Sequence, residues 1–306
     1  MSANYIAARC AQAIFLLWGI STIVFVVLRL SGDPVLLLVP QDTPPEVIDS
    51  MRRSLGYDAP LPEQYVRFLG RLVRLEFGES LSFNQPALGV VFDRFPATLK
   101  LAGASILFTL VTGIPLGILA AIHRNSLIDR IGLVIALLGT SAPTFWVGIL
   151  LILLFSVRWR IFPSIGDQGL ESLVLPAVTL GIFSTAKISR LTRSALLEVL
   201  GSDYLRTARA KGLRERVVLL RHATPNTLIA LLTVISLEFA LLLGGAVITE
   251  TVFAWPGMGR LAIQAIGARD YPLVQAIVFV FATLVLLVNL AVDLLYPLLD
   301  PRLKRG

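Results

Sequence analysis

Six stretches free or nearly free of charge divide the chain: residues 10–28, 101–122, 131–157, 172–186, 223–249 and 271–292. A helix needs about 20 apolar residues to cross the hydrocarbon core of a bilayer, and five of the six meet that need. The fourth is short, and it reaches full length if Lys187 and Arg190 snorkel their charged heads to the interface. These runs are continuous, whereas the strands of a membrane barrel alternate apolar and polar positions. The pattern predicts an all-α polytopic membrane protein of about six transmembrane helices, forming one transmembrane domain over residues 1–306. The first run exceeds the roughly 7–15 residues of a signal-peptide core and no Ala-x-Ala site follows it, so it is expected to persist as a span.

Between the apolar runs lie two long polar segments. In residues 31–96, Thr43-Pro44-Pro45-Glu46 reads as a helix start, with Thr43 as N-cap, Pro44 at the first position and Glu46 closing a capping box. A second helix is predicted from near Pro62, where Tyr65, Leu69, Leu72 and Val73 recur at helical spacing while Arg67, Arg71 and Arg74 fall on other faces. Such a helix lies along the membrane surface or packs on the ends of the spans. Two readings stay open for it, a structural collar and a surface for an extracytoplasmic partner. The other segment, residues 187–226, carries the strongest polar and basic run of the chain, from Asp203 to Arg216 and on through Arg221-His222-Ala223-Thr224-Pro225.

Composition sharpens the membrane reading. Of the 306 residues, 56% are hydrophobic and 15% charged, and the mean hydropathy is +0.79. Soluble domains carry about 25% charged residues. The net charge of +7 would suit nucleic acid, yet its distribution follows the positive-inside rule instead. Residues 187–221 hold nine basic side chains (Lys187, Arg190, Arg193, Arg206, Arg209, Lys211, Arg214, Arg216 and Arg221) against three acidic ones, whereas residues 31–96 hold six basic and nine acidic. The first segment is therefore expected in the cytoplasm and the second outside. Arg9, the turn 123–130 and the tail Arg302-Leu303-Lys304-Arg305 then fall inside, so both termini are expected to be cytoplasmic.

The chain offers little chemistry of its own. It has no Gly-x-x-x-x-Gly-Lys-Ser/Thr loop for a nucleoside triphosphate, no His-Glu-x-x-His and no Gly-x-Ser-x-Gly. Cys10 is the single cysteine, read as a lipid-facing or packing residue. His123 and His222 sit beside basic residues at span ends and read as polar anchors. We expect no catalytic residue, no metal site and no cofactor in this chain, no nucleic-acid partner, and no enzymatic activity. Glu238 stands apart because it interrupts the fifth span near its middle, where an ionisable group usually faces a cavity or a partner. Two readings stay open: a glutamate that links helices, and one that lines a translocation path and meets a cationic group of a solute. Asp293 is expected to find a local partner at the basic rim. In Glu250–Arg260 the breakers Pro256 and Gly257 beside Trp255, an aromatic-belt residue type, predict an interfacial or re-entrant turn. Pro115 with Gly113 and Gly117, the run Ser141-Ala142-Pro143-Thr144, and Gly244-Gly245 mark either kinks or close helix packing.

The basic loop resembles the coupling segment, or EAA loop, of permeases from binding-protein-dependent ABC importers, whose core is Glu-Ala-Ala, a glycine four residues on, and a distant Leu-Pro. Ala208, Gly212 and Pro225 keep that pattern, while Arg206, Thr207 and Thr224 depart from it. The longer string from Asp203-Tyr204 through Arg206-Thr207-Ala208-Arg209-Ala210-Lys211-Gly212 is similar to the variant of the dipeptide/oligopeptide/nickel-type permeases. Gly32-Asp33-Pro34, Arg94-Phe95-Pro96-Ala97-Thr98-Leu99-Lys100-Leu101-Ala102, Val252-Phe253 with Trp255-Pro256-Gly257 and Gly259-Arg260, and Arg269-Asp270-Tyr271-Pro272 support the same subgroup. The resemblance covers essentially the whole chain, in order.

That resemblance implies a multi-pass subunit of the bacterial inner membrane that forms a translocation path for di- or oligopeptides or similar small solutes. It implies as partners a second, homologous permease subunit, two cytoplasmic ATPase subunits that bind ATP and magnesium, and an extracytoplasmic substrate-binding protein. Tyr204, Arg206, Thr207, Ala208, Lys211, Gly212 and Pro225 would engage the ATPases, and Glu238 is the candidate for the path. A nickel or metal-chelate permease is the alternative within the family. Outside it, a membrane scaffold whose basic loop binds a partner or anionic lipid stays open; an ion channel is disfavoured, since no charged ring or filter-like repeat is visible.

Overall fold

The computed structural model of the chain describes residues 3–30, 32, 35–39, 43–127, 129 and 142–299. Among the described residues the regular structure is helical, apart from one isolated antiparallel bridge between Glu79 and Pro86. The chain divides into two compact units, Met1–Thr98 with Pro256–Leu286, and Leu99–Trp255 with Leu287–Gly306.

The first unit begins with α1 (Ala3–Leu30), a short α2 (Val35–Leu38), α3 (Pro45–Leu55) and α4 (Leu61–Val73). It also takes the first turns of α5 (Ala87–Ile122), whose remainder belongs to the second unit. Helix α3 starts one residue later than the sequence predicts. Pro44 is its N-cap, in extended conformation, and as a proline it offers no side-chain cap. Pro45 rather than Pro44 occupies the first position, and Thr43 stands one residue before the N-cap instead of at it. The physical reason is local: the residue before a proline is pushed out of the helical region, which moves the start past Pro44. Gly56 ends the helix in the left-handed conformation at φ 73°, its N–H bonded to the carbonyls of the last turn.

Helix α4 occupies the predicted place and packs on the end of α1. Phe25 lies 5.3 Å from the ring of Tyr65 and 5.2 Å from that of Phe68, and the Tyr65 hydroxyl meets Thr22 Oγ1 at 2.8 Å. The unit closes with α11 (Met258–Gly267) and the part of α12 (Tyr271–Leu299) up to Leu286, once the second unit's helices have been counted through α10. Its core joins Leu28, Phe77, Val90 and Val91 to Met258, Leu261, Tyr271 and Ile277. Two motifs singled out in the sequence meet there. Asp270 is fully buried; it accepts hydrogen bonds from Ser80 Oγ (2.5 Å), the N–H of Ser82 (3.0 Å) and, at the start of α12, the N–H of Leu273 (3.2 Å). Tyr271 donates its hydroxyl to the carbonyl of Gly32. The Arg269-Asp270-Tyr271-Pro272 string thus ties the long polar segment to the start of the last span.

In the second unit, α6 (Thr144–Leu151) continues as a π-helical segment, Ile152–Arg158. It is followed by α7 (Leu170–Leu200), α8 (Asp203–Ala210), the short α9 (Glu215–Val217) with a π-helical continuation Val218–Ala223, and α10 (Thr224–Val252). Helices α7 and α10 form the main pair, and α6 packs on both. Gly113 and Gly117 of α5 serve close packing, and α5 stays helical through Pro115 between them. A Cβ at Gly117 would lie 2.5 Å from the carbonyl oxygen of Ser189, and one at Gly113 would lie 3.1 Å from that of Thr185. Small residues here let α5 and α7 approach backbone to backbone.

Five described helices are long and apolar enough to cross a membrane: Ala7–Leu30, Ala87–Ile122, Leu170–Leu200, Leu231–Val252 and Tyr271–Ala291. The predicted third span, residues 131–157, lies partly outside the described residues, and its described part is the shorter apolar helix Thr144–Arg158. Asp33-Pro34, Ser141, the side chain of Asp293 and the basic tail also lie outside them. Trp255 is fully buried within the protein, with the ammonium of Lys100 5.3 Å from its ring. The chain reverses there through Ala254 at φ 48°, and the Trp255 N–H returns to the carbonyl of Glu250 at 2.8 Å. That closed turn draws the indole into the protein.

Candidate functional site

The basic loop is a compact helical element on an apolar anchor. Helix α8 begins after Ser202, and Asp203 in its first turn complements the positive end of the helix dipole. It is amphipathic. Leu205 is fully buried with Leu196, Val218, Ala223 and Ala121, and Ala208 packs against that cluster. On the opposite face Tyr204, Arg206 and Thr207 are exposed, as are Lys211 and Gly212 beyond the helix. The Arg206–Asp203 pair, 3.5 Å apart, is so solvated that it holds little together.

The helix stops because Gly212 adopts a left-handed φ of 77°. Its N–H meets the carbonyl of Arg209 at 2.9 Å. Beyond it, Arg209 and Glu215 pair through two hydrogen bonds of 3.2 and 2.9 Å. That pairing holds the Glu215 carboxyl below its ordinary range and raises Arg209. Pro225 lies in the first turn of α10, where its missing N–H leaves nothing unsatisfied. Asn226 Nδ2 donates to the Tyr204 hydroxyl at 3.1 Å, closing the loop onto the next span.

Of the seven loop residues singled out in the sequence, Tyr204, Arg206, Thr207, Lys211, Gly212 and Pro225 are exposed and Ala208 is half-buried. Sequence reasoning did not single out Leu205, the anchor, or the Arg209–Glu215 staple. A signal for Leu205 was present: it is the large apolar residue of an otherwise polar helix, one turn from Ala208.

Glu238 lies in α10 and is buried. Its Oε2 accepts from Ser184 Oγ at 2.8 Å, and its Oε1 pairs with Lys187 Nζ, both from α7. Lys187 therefore does not snorkel along α7; it turns across to α10 because a carboxylate at that depth lowers its own burial penalty by taking a cation. The Lys187 side chain remains 47% exposed, so one side of the pair is open. A second ion pair holds the turn after α5: Arg193 meets Asp129 at 2.7 and 2.8 Å. Together with the N–H of Asn125, it lowers the Asp129 carboxyl to about 2. Among the described residues no group of His, Cys, Asp and Glu is arranged to hold a metal ion.

Three comparisons agree with this architecture. Residues 113–305 match the family described as the binding-protein-dependent transport system inner membrane component, and residues 2–102 match its N-terminal companion. The glutathione transport system permease protein GsiC of Escherichia coli (strain K12) is 38% identical over 302 residues, 98% of this chain and 99% of that one. The protein of the same name from Pectobacterium atrosepticum is 38% identical over the same extent. Among solved structures, an inward-facing form of the MetNI methionine ABC transporter shares the fold with a TM-score of 0.61 at 21% identity. It covers 70% of this chain and 98% of that one. With both family matches in chain order and near-complete coverage of the relatives, the chain belongs to the binding-protein-dependent transport system inner-membrane component family, the multi-pass permeases of ABC importers.

Proposed function

We propose that this chain is one permease subunit of an ATP-driven importer of di- or oligopeptides or similar small solutes, worked by separate ATPase subunits through the loop from Tyr204 to Pro225. The observation that carries the reading is the two-faced loop: Leu205 is fully buried while Tyr204, Arg206, Thr207 and Lys211 are exposed. A helix anchored this way transmits a push to the spans it is wedged against, since Leu205 packs on residues of α5 and α7 and on the segment entering α10. Two short helical pieces on either side of Gly212 suit a groove on a partner. ATP and magnesium belong to the ATPase subunits, a second homologous permease completes the path, and an extracytoplasmic binding protein delivers the solute. Both termini and the loop face the cytoplasm, by the charge asymmetry of the polar segments.

Two relatives named for glutathione, itself a tripeptide, favour a peptide-like solute over a nickel chelate. Glu238, with Lys187, borders the path: the pair is buried on one side and open on the other. The test is uptake into vesicles holding this chain with the ATPase, permease and binding-protein products of its own gene cluster. ATP-dependent accumulation of labelled glutathione or short peptides is expected. Accumulation of nickel alone would replace the peptide reading by the metal-chelate one, and no ATP-dependent uptake of any solute would favour a scaffold.

A further inference from the structure

A cavity of about 70 Å³ in the first unit is lined by the last turn of α1, by α4 and by the first residues of α12. Arg29 dominates it. Its guanidinium carbon lies 4.4 Å from the ring centre of Tyr57, 5.3 Å from Phe25 and 5.6 Å from Tyr271. It makes no ion pair among the described residues, and its Nε is buried without a hydrogen-bond partner. Arg67 and Arg71, one turn apart on α4, line the same cavity. Arg67 is taken by Glu63, whereas Arg71 makes no ion pair among the described residues. One lining residue, Glu76, is acidic; it is exposed and salt-bridged to none of the three arginines. Gln64 is 8% exposed. Its amide nitrogen donates to the carbonyls of Ala59 at 2.7 Å and Tyr57 at 3.3 Å, while its Oε1 is buried with no partner.

The cavity therefore has an excess of positive charge, a buried donor without an acceptor and a buried acceptor without a donor. Unsatisfied groups of this kind cost free energy unless a ligand or water completes them. Guanidinium forks suit phosphate oxygens, and the amide oxygen suits a hydroxyl on the same ligand.

The surroundings say where such a ligand comes from. Arg29 closes the last turn of one helix apolar enough to cross a membrane, and Tyr271 opens another, so the cavity lies at the level where hydrocarbon gives way to water. Helix α4 carries Leu61, Val66 and Val73, exposed by 56, 68 and 86%, beside Arg67 and Arg71. That combination is the signature of a helix lying in the membrane interface, at the depth of the phospholipid head groups.

We propose that this cavity is a phosphate-binding site for the hydroxylated headgroup of an anionic phospholipid. The assembled importer, purified in mild detergent, is titrated with short-chain phosphatidylglycerol while retention is followed by native mass spectrometry; phosphatidylcholine and inorganic phosphate are run in parallel. Wild type retains phosphatidylglycerol in preference to phosphatidylcholine, and millimolar inorganic phosphate does not displace it. Arg29→Gln and Arg71→Gln weaken retention about tenfold each, the scale of one charged hydrogen bond. Arg74→Gln, on an exposed residue just past α4 that does not line the cavity, leaves it unchanged. Arg29 packs among three rings, so Arg71→Gln, on the exposed side, keeps the test valid if Arg29→Gln lowers expression. Retention unaltered in Arg71→Gln overturns the proposal. Saturation by inorganic phosphate with no lipid retained moves the site to a free oxyanion and overturns the lipid assignment. Impaired docking of the binding protein in Arg71→Gln, with lipid retention intact, overturns it in favour of a protein partner.

Discussion

Arg209 and Glu215 face each other across Gly212, joined by hydrogen bonds of 3.2 and 2.9 Å, so the sharpest turn of the basic loop is closed by a charge pair. The two side chains are 38% and 57% exposed, and solvent screening keeps such a pair weak. The Glu215 carboxyl is held below its ordinary range by Arg209. Its contribution is therefore complete above the unfolded carboxylate value and is lost as pH falls through the lower folded value. We expect Glu215→Gln to change ATPase stimulation about twofold at neutral pH and the two proteins to converge in acid, where the wild-type carboxyl is protonated. Limited proteolysis of the loop between pH 3 and 7 measures it; identical susceptibility of the two proteins at neutral pH would remove the staple from the account.

Gly212 has φ 77°, and a Cβ there would meet nothing within 4 Å. Substitution is thus opposed by backbone strain alone, roughly 1–2 kcal/mol and more for a β-branched residue. Gly212→Val is expected to reshape the loop, leaving the spans inserted and expression near normal but substrate-stimulated ATPase activity lost. Gly212→Asn, whose side chain tolerates the left-handed region, retains most of it. Full stimulation in Gly212→Val would sink the coupling role.

The Lys187–Glu238 pair separates two roles for one carboxylate. Lys187→Met strands a buried negative charge, at a cost below the roughly 3–5 kcal/mol of a fully buried pair because Lys187 is 47% exposed, which a thermal melt of the purified complex reads as a lower midpoint. Combining it with Glu238→Gln recovers most of the loss, because no uncompensated charge remains. If Glu238 borders the path, Glu238→Gln also changes solute affinity and its pH dependence. Wild-type rate and affinity across pH would leave Glu238 a helix link only.

Gly117 and Gly103 lie on the same helix in different surroundings. A Cβ at Gly117 would sit 2.5 Å from a backbone oxygen and 2.6 Å from the Cβ of Thr192, whereas one at Gly103 meets nothing within 4 Å. Gly117→Ala should destabilise by about 1–3 kcal/mol, the range for overpacking. Gly103→Ala should be neutral or gain a few tenths from helix propensity. Equal melting temperatures for the two variants would contradict the α5–α7 contact.

The sequence by itself determined the all-α membrane class, the position of the amphipathic α4 and the family, because continuous apolar runs leave helices as the economical way to satisfy the backbone in lipid. It also marked the loop with its left-handed Gly212 and its leading Pro225, since glycine and proline carry their backbone preferences locally. Pairings between distant residues were decided by tertiary structure. Lys187 reads as a snorkelling cation until α10 brings Glu238 beside it, Trp255 shows its burial only once its turn folds inward, and Leu205 is one leucine among many until α5, α7 and the segment entering α10 close over it. Arg29 is the strongest case. Its string predicts only the end of a span, and it takes α4, Tyr57 and Tyr271 together to build the aromatic, positively charged cavity around it. Local preferences act within a few residues and can be read along the chain, while burial and charge compensation depend on which distant segments meet.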